Sequence, residues 1–242
     1  MANGGSTASI VSAAQRQPSI GLSFLKFGVM GLVLASVLRF VSGRADWSRA
    51  WIYVGFTVGF MVVGGIVLAR LSPELLAERS RVRKGTKTWD KCLVPFVALI
   101  GPLGTWCVAA LDVRAHWPPM VPIWWSVAAF AVCGMGLLFA FWAMLTNRFF
   151  SATVRIQEER GHVVIDGGPY RYVRHPGYTG ILAFSLATPV ALGSWLALIP
   201  AAFLATVLAV RTALEDRTLR VELKGYQEYA SRVRNRLVPG LW

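Results

Sequence analysis

Residues 178–210 read YTGILAFSLATPVALGSWLALIPAAFLATVLAV, an apolar block without one charged side chain. A helix crossing the hydrocarbon layer of a bilayer needs roughly 20 such residues, so the block is too long for a single crossing. Pro189, Gly193 and Pro200 divide it, and these residue types end one helix and open the next. The reading is a tight helical hairpin of two short spans. Upstream, four more stretches reach spanning length with almost no internal charge, at 21–41, 51–69, 93–111 and 122–145. The composition agrees, because 242 residues that are 55% hydrophobic and 15% charged are too apolar for a soluble domain and too long for one anchor. The expected fold class is all-α, a polytopic transmembrane bundle of about six spans with the last two forming the hairpin.

The formal net charge is +13. Its Lys and Arg residues fall between the apolar segments rather than along one soluble face, so topology accounts for them and nucleic acid is not an expected partner. The segment 70–91 carries Arg79, Arg81, Arg83, Lys84 and Lys87, and the positive-inside bias places it in the cytoplasm. Counting spans from there puts 112–121 outside, 146–175 inside, the hairpin tip near Gly193 outside and the Arg-rich tail inside. Arg39, Arg44 and Arg49 then lie on the outer side, with Arg39 snorkelling from a helix end. The expected localisation is a multi-pass membrane protein with its active face toward the cytosol, in the inner membrane of a bacterium or the endoplasmic reticulum of a eukaryote.

Several features have bland readings. Residues 1–19 are mostly Ser, Ala, Gly and Gln, too polar for a signal-peptide core, and read as a disordered tail. Cys92, Cys107 and Cys133 lack paired metal spacing and read as ordinary core residues. His116, His162 and His175 form no His-x-x-x-His or Glu-x-x-His pair on a helix, so no protein-bound metal is expected. Gly134 and Gly136 follow no strand and are not a nucleotide loop. The glycines of the first spans suit close helix packing in lipid, and Trp117, Trp124, Trp125 and Trp142 suit the membrane interface.

The informative part begins at Thr146 with an inside connector, and loops of this length are often functional. Residues 153–157 alternate polar and apolar, 158–161 is a turn candidate and 162–165 is β-favouring, so a small hairpin on the membrane surface is expected. Asp166, Gly167, Gly168 and Pro169 force a sharp turn. Then comes GPYRYVRHPGYTG at 168–180. Pro176 sits where a helix should start, leaving first-turn N–H groups free for an acceptor, while Gly177 and Gly180 leave room for a ligand or a neighbouring backbone. An interfacial Tyr and Arg anchor is the alternative reading of this stretch. Arg211 and Glu215 are four apart on one helical face. Glu215 and Asp216 are acids in a basic region, for which a simple charge pair with Arg217 or Arg220 is the alternative. The tail reads as an amphipathic helix followed by a short extended cap.

The pattern Arg-His-Pro-x-Tyr-x-Gly at 174–180, Arg-x-x-x-Glu-Asp at 211–216, and Tyr226-x-x-Tyr229 with Arg-Leu-Val-Pro at 236–239 resembles the isoprenylcysteine carboxyl methyltransferase family. It is also similar to the related phospholipid methyltransferases. The resemblance covers residues 146–242, and the first four spans match only as generic membrane helices. It divides the chain into a tail at 1–19, a four-helix scaffold at 20–145 and a methyltransferase core at 146–242. It implies S-adenosyl-L-methionine as cofactor, in a cytosolic pocket formed by the 146–176 connector and the C-terminal helix. His162, Val163, Val164, Ile165, Tyr170, His175, Pro176, Gly177, Tyr178 and Glu215 are the implied cofactor residues, and Arg211 with Glu215 the implied catalytic pair, Arg211 facing the substrate. Asp216 stands where relatives commonly carry a second Glu, and Gly225 lies directly before the tyrosine rather than further upstream.

Methyl transfer is an in-line displacement in which a protein mainly positions the reactants and supplies a suitable field. Tyr170 and Tyr178 can face a sulfonium, since cations favour π faces, and Arg211 can hold an anionic acceptor. A carboxylate acceptor such as that of a prenylated cysteine needs no base. A phospholipid amine must lose a proton, which would make His175 or Glu215 a candidate base. A lipidic acceptor would enter laterally from the bilayer. The competing readings are an NADPH-dependent membrane reductase, and a transporter or lipid-binding scaffold, which would need polar groups along the middle of several spans.

Overall fold

A computed structural model of the chain describes residues 20–79 and 85–242. The expected tail at 1–19, and Arg81, Arg83 and Lys84 of the basic loop, lie outside the described residues. Within them the regular structure is helical: α1 (Ile20–Ser42), α2 (Ser48–Leu71), α3 (Pro73–Arg79), α4 (Thr88–Pro95), α5 (Gly101–Ala115), α6 (Ile123–Thr146), α7 (Pro176–Leu192), α8 (Leu198–Glu222) and α9 (Tyr226–Arg232). A π-helical turn, Phe96–Ile100, joins α4 to α5. It follows Pro95 directly, where the missing N–H already breaks the helical ladder.

Among the described residues five stretches are long and apolar enough to cross a membrane: Gly21–Ser42, Ser48–Leu71, Thr88–Ala115, Ile123–Thr146 and Leu198–Glu222. Large apolar side chains project outward along them, among them Leu32, Phe40, Val63, Leu138 and Phe203. Such a belt is too extensive for a water-facing surface but suits a lipid solvent, where spanning backbone must also satisfy its own hydrogen bonds. Trp117, Trp124, Trp125 and Trp142 are exposed as well.

The hairpin differs from two short spans. α7 has 17 residues, about 25 Å of helix, short of the roughly 30 Å hydrocarbon core. α8 has 25 residues and continues past the apolar block to Glu222. Its last turns carry good helix formers, and their charges find partners in the connector and tail. The corner lies where expected, with Gly193 at φ 91° closing α7, a left-handed conformation that glycine takes at little cost.

α6 and α7 cross at backbone contact. A Cβ on Gly136 would lie 2.6 Å from the Gly180 carbonyl oxygen, and one on Gly180 would lie 2.7 Å from the Ala140 nitrogen. The fully buried Tyr53 of α2 joins this pair, its hydroxyl 3.1 Å from Thr188 Oγ1 and its ring stacked on Phe184.

The polar connections separate to the two ends of the bundle. At one end Arg49 Nη2 donates to the Val121 carbonyl at 3.1 Å, Ser194 donates to Asp112, and Arg44 meets His116. At the other, Lys87 pairs with Glu222 at 2.7 Å and Arg155 with Glu78 at 2.6 Å. The 112–121 connector and the Gly193 corner thus share one end, and the 146–175 connector and the tail share the opposite one.

The connector contains no strand pairing of the kind expected for 153–165. It holds extended backbone, a 3-10 turn at Glu158–Arg160 and Gly161 at φ 61°. At Val154 the polar backbone is satisfied from outside the stretch: its N–H donates to Asp90 Oδ2 at 2.7 Å and its carbonyl accepts from Lys87 N–H at 3.0 Å. At the second turn only Gly168 takes positive φ, at 55°.

Candidate active site

Three constraints build a cleft at the connector end. The first is the start of α7. Pro176 opens the helix, and the residues before it are strapped by the tail, since Arg174 and His175 N–H donate to the Asn235 and Arg236 carbonyls at 3.0 Å each. Thr179 Oγ1 adds a bond to the Leu237 carbonyl at 2.8 Å. The extended cap expected for the tail therefore covers the first turn of α7.

The second constraint is the pair of acids near the end of α8. Adjacent helical residues point about 100° apart, so Glu215 and Asp216 meet different neighbours. Glu215 Oε2 accepts from the Tyr178 hydroxyl at 2.5 Å. Asp216 is fully buried and accepts from Arg174 Nε at 2.7 Å, Tyr226 Oη at 3.0 Å, Arg220 Nε at 3.0 Å and Arg236 Nε at 3.1 Å. His175 Nε2 lies 3.4 Å from the same carboxylate, and its ring stacks on Tyr178 at 5.9 Å. The pairing of Asp216 with Arg220 is thus one part of a larger cluster, and Arg217 stays exposed.

The third constraint is the connector. Gln157 is buried and donates to the Phe149 carbonyl at 2.6 Å. Arg155 bridges Glu78 of α3 and Glu159, and its Nε is buried with no hydrogen-bond partner among the described residues. His162 stacks on Phe149 with ring centres 4.5 Å apart. Burial, then the nearby Arg155 and Arg160 charges, push the His162 imidazole down to about 4, against a smaller opposing pull from Glu159. It is therefore neutral near pH 7. Burial likewise holds the Tyr170, Tyr226 and Tyr229 phenols well above their ordinary value.

Together these elements enclose a cleft, part of it open to solvent and lined by both apolar and polar side chains, the kind of concave surface on which small molecules bind. His162, Val163, Val164, Ile165, Tyr170, His175, Gly177, Tyr178 and Glu215 all line it. Pro176 does not, because its ring belongs to the buried first turn of α7. Arg211 is not on the lining either. It donates to Asp90 Oδ1 at 2.7 Å and Oδ2 at 3.2 Å and to the Ala152 carbonyl at 3.0 Å, with its guanidinium 5.1 Å from the Tyr178 ring centre. Gly177 and Gly180 make room for neighbours, the Phe150 ring and the α6 backbone respectively.

Tyr226, Tyr229, Gln157 and Arg174 also line the cleft, and none was singled out from the sequence as a site residue. Tyr226 and Tyr229 carry a signal, one-turn spacing on a short helix; Gln157 carries none.

These features define a class: a multi-span helical protein whose one end forms a ligand-sized cleft from a long connector, the start of one helix and the last turns of another. The family resemblance is borne out over residues 127–221, which match the model of the isoprenylcysteine carboxyl methyltransferase (ICMT) family. The chain is 34% identical over 93 residues to a probable protein-S-isoprenylcysteine O-methyltransferase of Oryza sativa subsp. indica, covering 38% of this chain and 49% of that protein. It is 30% identical over 125 residues to protein-S-isoprenylcysteine O-methyltransferase B of Arabidopsis thaliana, covering 50% of this chain and 59% of that protein. The chain thus spans about half the length of the curated relatives it matches.

Proposed function

We propose that this chain is an integral membrane methyltransferase that uses S-adenosyl-L-methionine to methylate a lipidic carboxylate, such as that of a prenylated cysteine. The observation that carries the reading is the cleft, built mostly by the matched region and lined by chemistry suited to that cofactor. The backbone N–H and C=O groups of Val163, Val164 and Ile165 make no hydrogen bond among the described residues, which supplies unpaired donors and acceptors for an adenine edge. Glu215 offers an acceptor for an ammonium, Arg155 Nε an unpaired donor, and the aromatic rings a surface for a cation. The cofactor would supply an electrophilic methyl group on sulfur. The residues of the chain bind, orient and keep water out.

The state of the basic groups favours a carboxylate acceptor over an amine. His175 and Glu215 already share hydrogen bonds with Asp216 and Tyr178. His162, held at about 4, is too weak a base to deprotonate an ammonium near neutrality. A carboxylate requires no such step.

Among the described residues the cleft is lined by ones between Asn147 and Tyr229, which supports 146–242 as the methyltransferase core and 20–145 as scaffold. The positive-inside bias, applied to the end that holds the connector and tail, supports a cytosolic cleft. The test is transfer of radiolabelled methyl from S-adenosyl-L-methionine into farnesylcysteine and, in parallel, into a total lipid extract. Label released from farnesylcysteine as methanol by alkali is expected. Alkali-stable label in the lipid extract alone would shift the assignment to an amine, and NADPH binding without methyl transfer would shift it to a reductase.

A further inference from the structure

Asp216 is a wall between two spaces. Its Oδ1 meets Tyr226 and His175 on the cleft side, and its Oδ2 accepts Nε of both Arg220 and Arg236, at 3.0 and 3.1 Å. Those two arginines line a second depression of about 650 Å³, open to solvent, together with Arg234, Asn235 and Trp242.

Arg220 and Arg236 share one carboxylate oxygen through Nε, and the terminal nitrogens of both make no hydrogen bond among the described residues. The Arg234 side chain also makes none, and it is exposed. Asp216 is the only acidic side chain that any of these three arginines contacts among the described residues, and it is also engaged by Arg174. Positive charge is therefore in excess.

The guanidiniums of Arg220 and Arg236 are held in place. Arg236 lies 4.9 Å from the Trp242 ring centre, and the Trp242 main-chain oxygen accepts N–H groups from Arg236, Leu237 and Val238, closing the tail into a loop. Arginine forks fixed in this way have already lost the side-chain freedom that anion binding would otherwise remove. A planar carboxylate offers two oxygens in one plane, whereas a phosphate offers three or four around a tetrahedron and more charge, matching forks that arrive from separate directions.

We propose that this depression is a binding site for a phosphate group, distinct from the cleft and independent of methyl transfer. Two sources present that chemistry, the headgroup of an anionic phospholipid and a soluble phosphate. The setting suits both: Arg220 lies in the last turn of α8, a span end, and the rim carries Leu241, 81% exposed, beside the solvent opening.

The experiment uses the full chain in phosphatidylcholine nanodiscs. In one arm inorganic phosphate is titrated by calorimetry; in the other, phosphatidic acid is added to the nanodiscs and retained lipid is counted by native mass spectrometry. Saturable binding is expected in at least one arm, and the arm identifies the source. Arg234→Gln and Arg236→Gln should each weaken it at least ~10-fold, the scale of a lost charge-assisted hydrogen bond. The Arg234 side chain is exposed and makes no hydrogen bond or ion pair among the described residues, so its variant keeps the test valid even where Arg236→Gln fails to fold. Arg217→Gln, exposed and off the lining, should leave binding within about 2-fold by the same reasoning. Absence of saturable binding in both arms, or equal losses in Arg217→Gln and Arg234→Gln, would overturn the proposal.

Discussion

Tyr178 and Glu215 meet across the cleft, the phenol donating a 2.5 Å hydrogen bond to Oε2 and so tying the first turn of α7 to the last turns of α8. The neighbouring acid turns the other way into a cluster of arginines. One acid therefore faces the cleft while the next holds the tail and connector together, a division of labour that follows from their 100° separation on the helix.

Tyr178→Phe removes the donor but keeps the ring that stacks on His175. A hydrogen bond to a charged acceptor contributes about 1.5–3 kcal/mol, so S-adenosylhomocysteine should bind roughly 10-fold or more weakly. Glu215→Ala should abolish measurable binding with little change in unfolding temperature. Calorimetric titration checks both, and unchanged affinity in the pair would remove Glu215 from the cofactor site.

The Asp90 and Arg211 pair is a buried ion pair that links α4 to α8, with Asp90 fully buried. Arg211→Met leaves that carboxylate with only the Val154 N–H and should cost roughly 3–5 kcal/mol. The double variant Asp90→Leu with Arg211→Met should recover most of the loss in a thermal unfolding cycle. A role for Arg211 toward an acceptor predicts, in addition, that methyl transfer stays lost in the stabilised double variant. Full activity there would make Arg211 a structural residue only.

His162 sets a pH dependence. Its folded value of about 4 lies below the ordinary 6.5, so between these values the unfolded chain binds a proton that the folded chain does not. Stability is then complete above pH 6.5 and falls as the pH drops toward 4. His162→Phe keeps the stack on Phe149 and removes the titration. Its unfolding temperature should decline less steeply over that window than that of the parent chain, and parallel curves would show that His162 does not titrate there.

The spans and the Gly193 corner are legible in the sequence because apolar length and turn residues are local signals. The sequence marks Arg174–Gly180 as unusual for the same reason: its prolines, glycines and ring-bearing residues are contiguous. What it hides is partnership at long range. Apolarity ends at Val210, yet α8 continues because Arg211 finds Asp90 and Asp216 finds Arg174 and Arg236, and nothing near Asp90 marks it as the partner of a residue so distant in the chain. The connector alternates like a hairpin but stays unpaired, since Asp90 and Lys87 satisfy Val154 first.

The α6 and α7 crossing offers the sharpest mechanical test. A Cβ on Gly180 would fall 2.7 Å from the Ala140 backbone nitrogen and closer still to the Gly136 carbonyl oxygen. Neither atom can swing aside as a side chain can, so Gly180→Ala must push the helices apart. Overpacking of this kind costs about 1–3 kcal/mol or more. Because α7 carries His175 and Tyr178 at its start, the displacement should also weaken S-adenosylhomocysteine binding. Gly59→Ala on α2, where an added Cβ meets nothing within 4 Å, should be neutral or slightly stabilising, as alanine favours helix over glycine. Measuring unfolding temperature and ligand affinity for both variants separates the crossing from a general intolerance of substitution. Equal behaviour of the two would mean that the close approach of α6 and α7 does not position the start of α7.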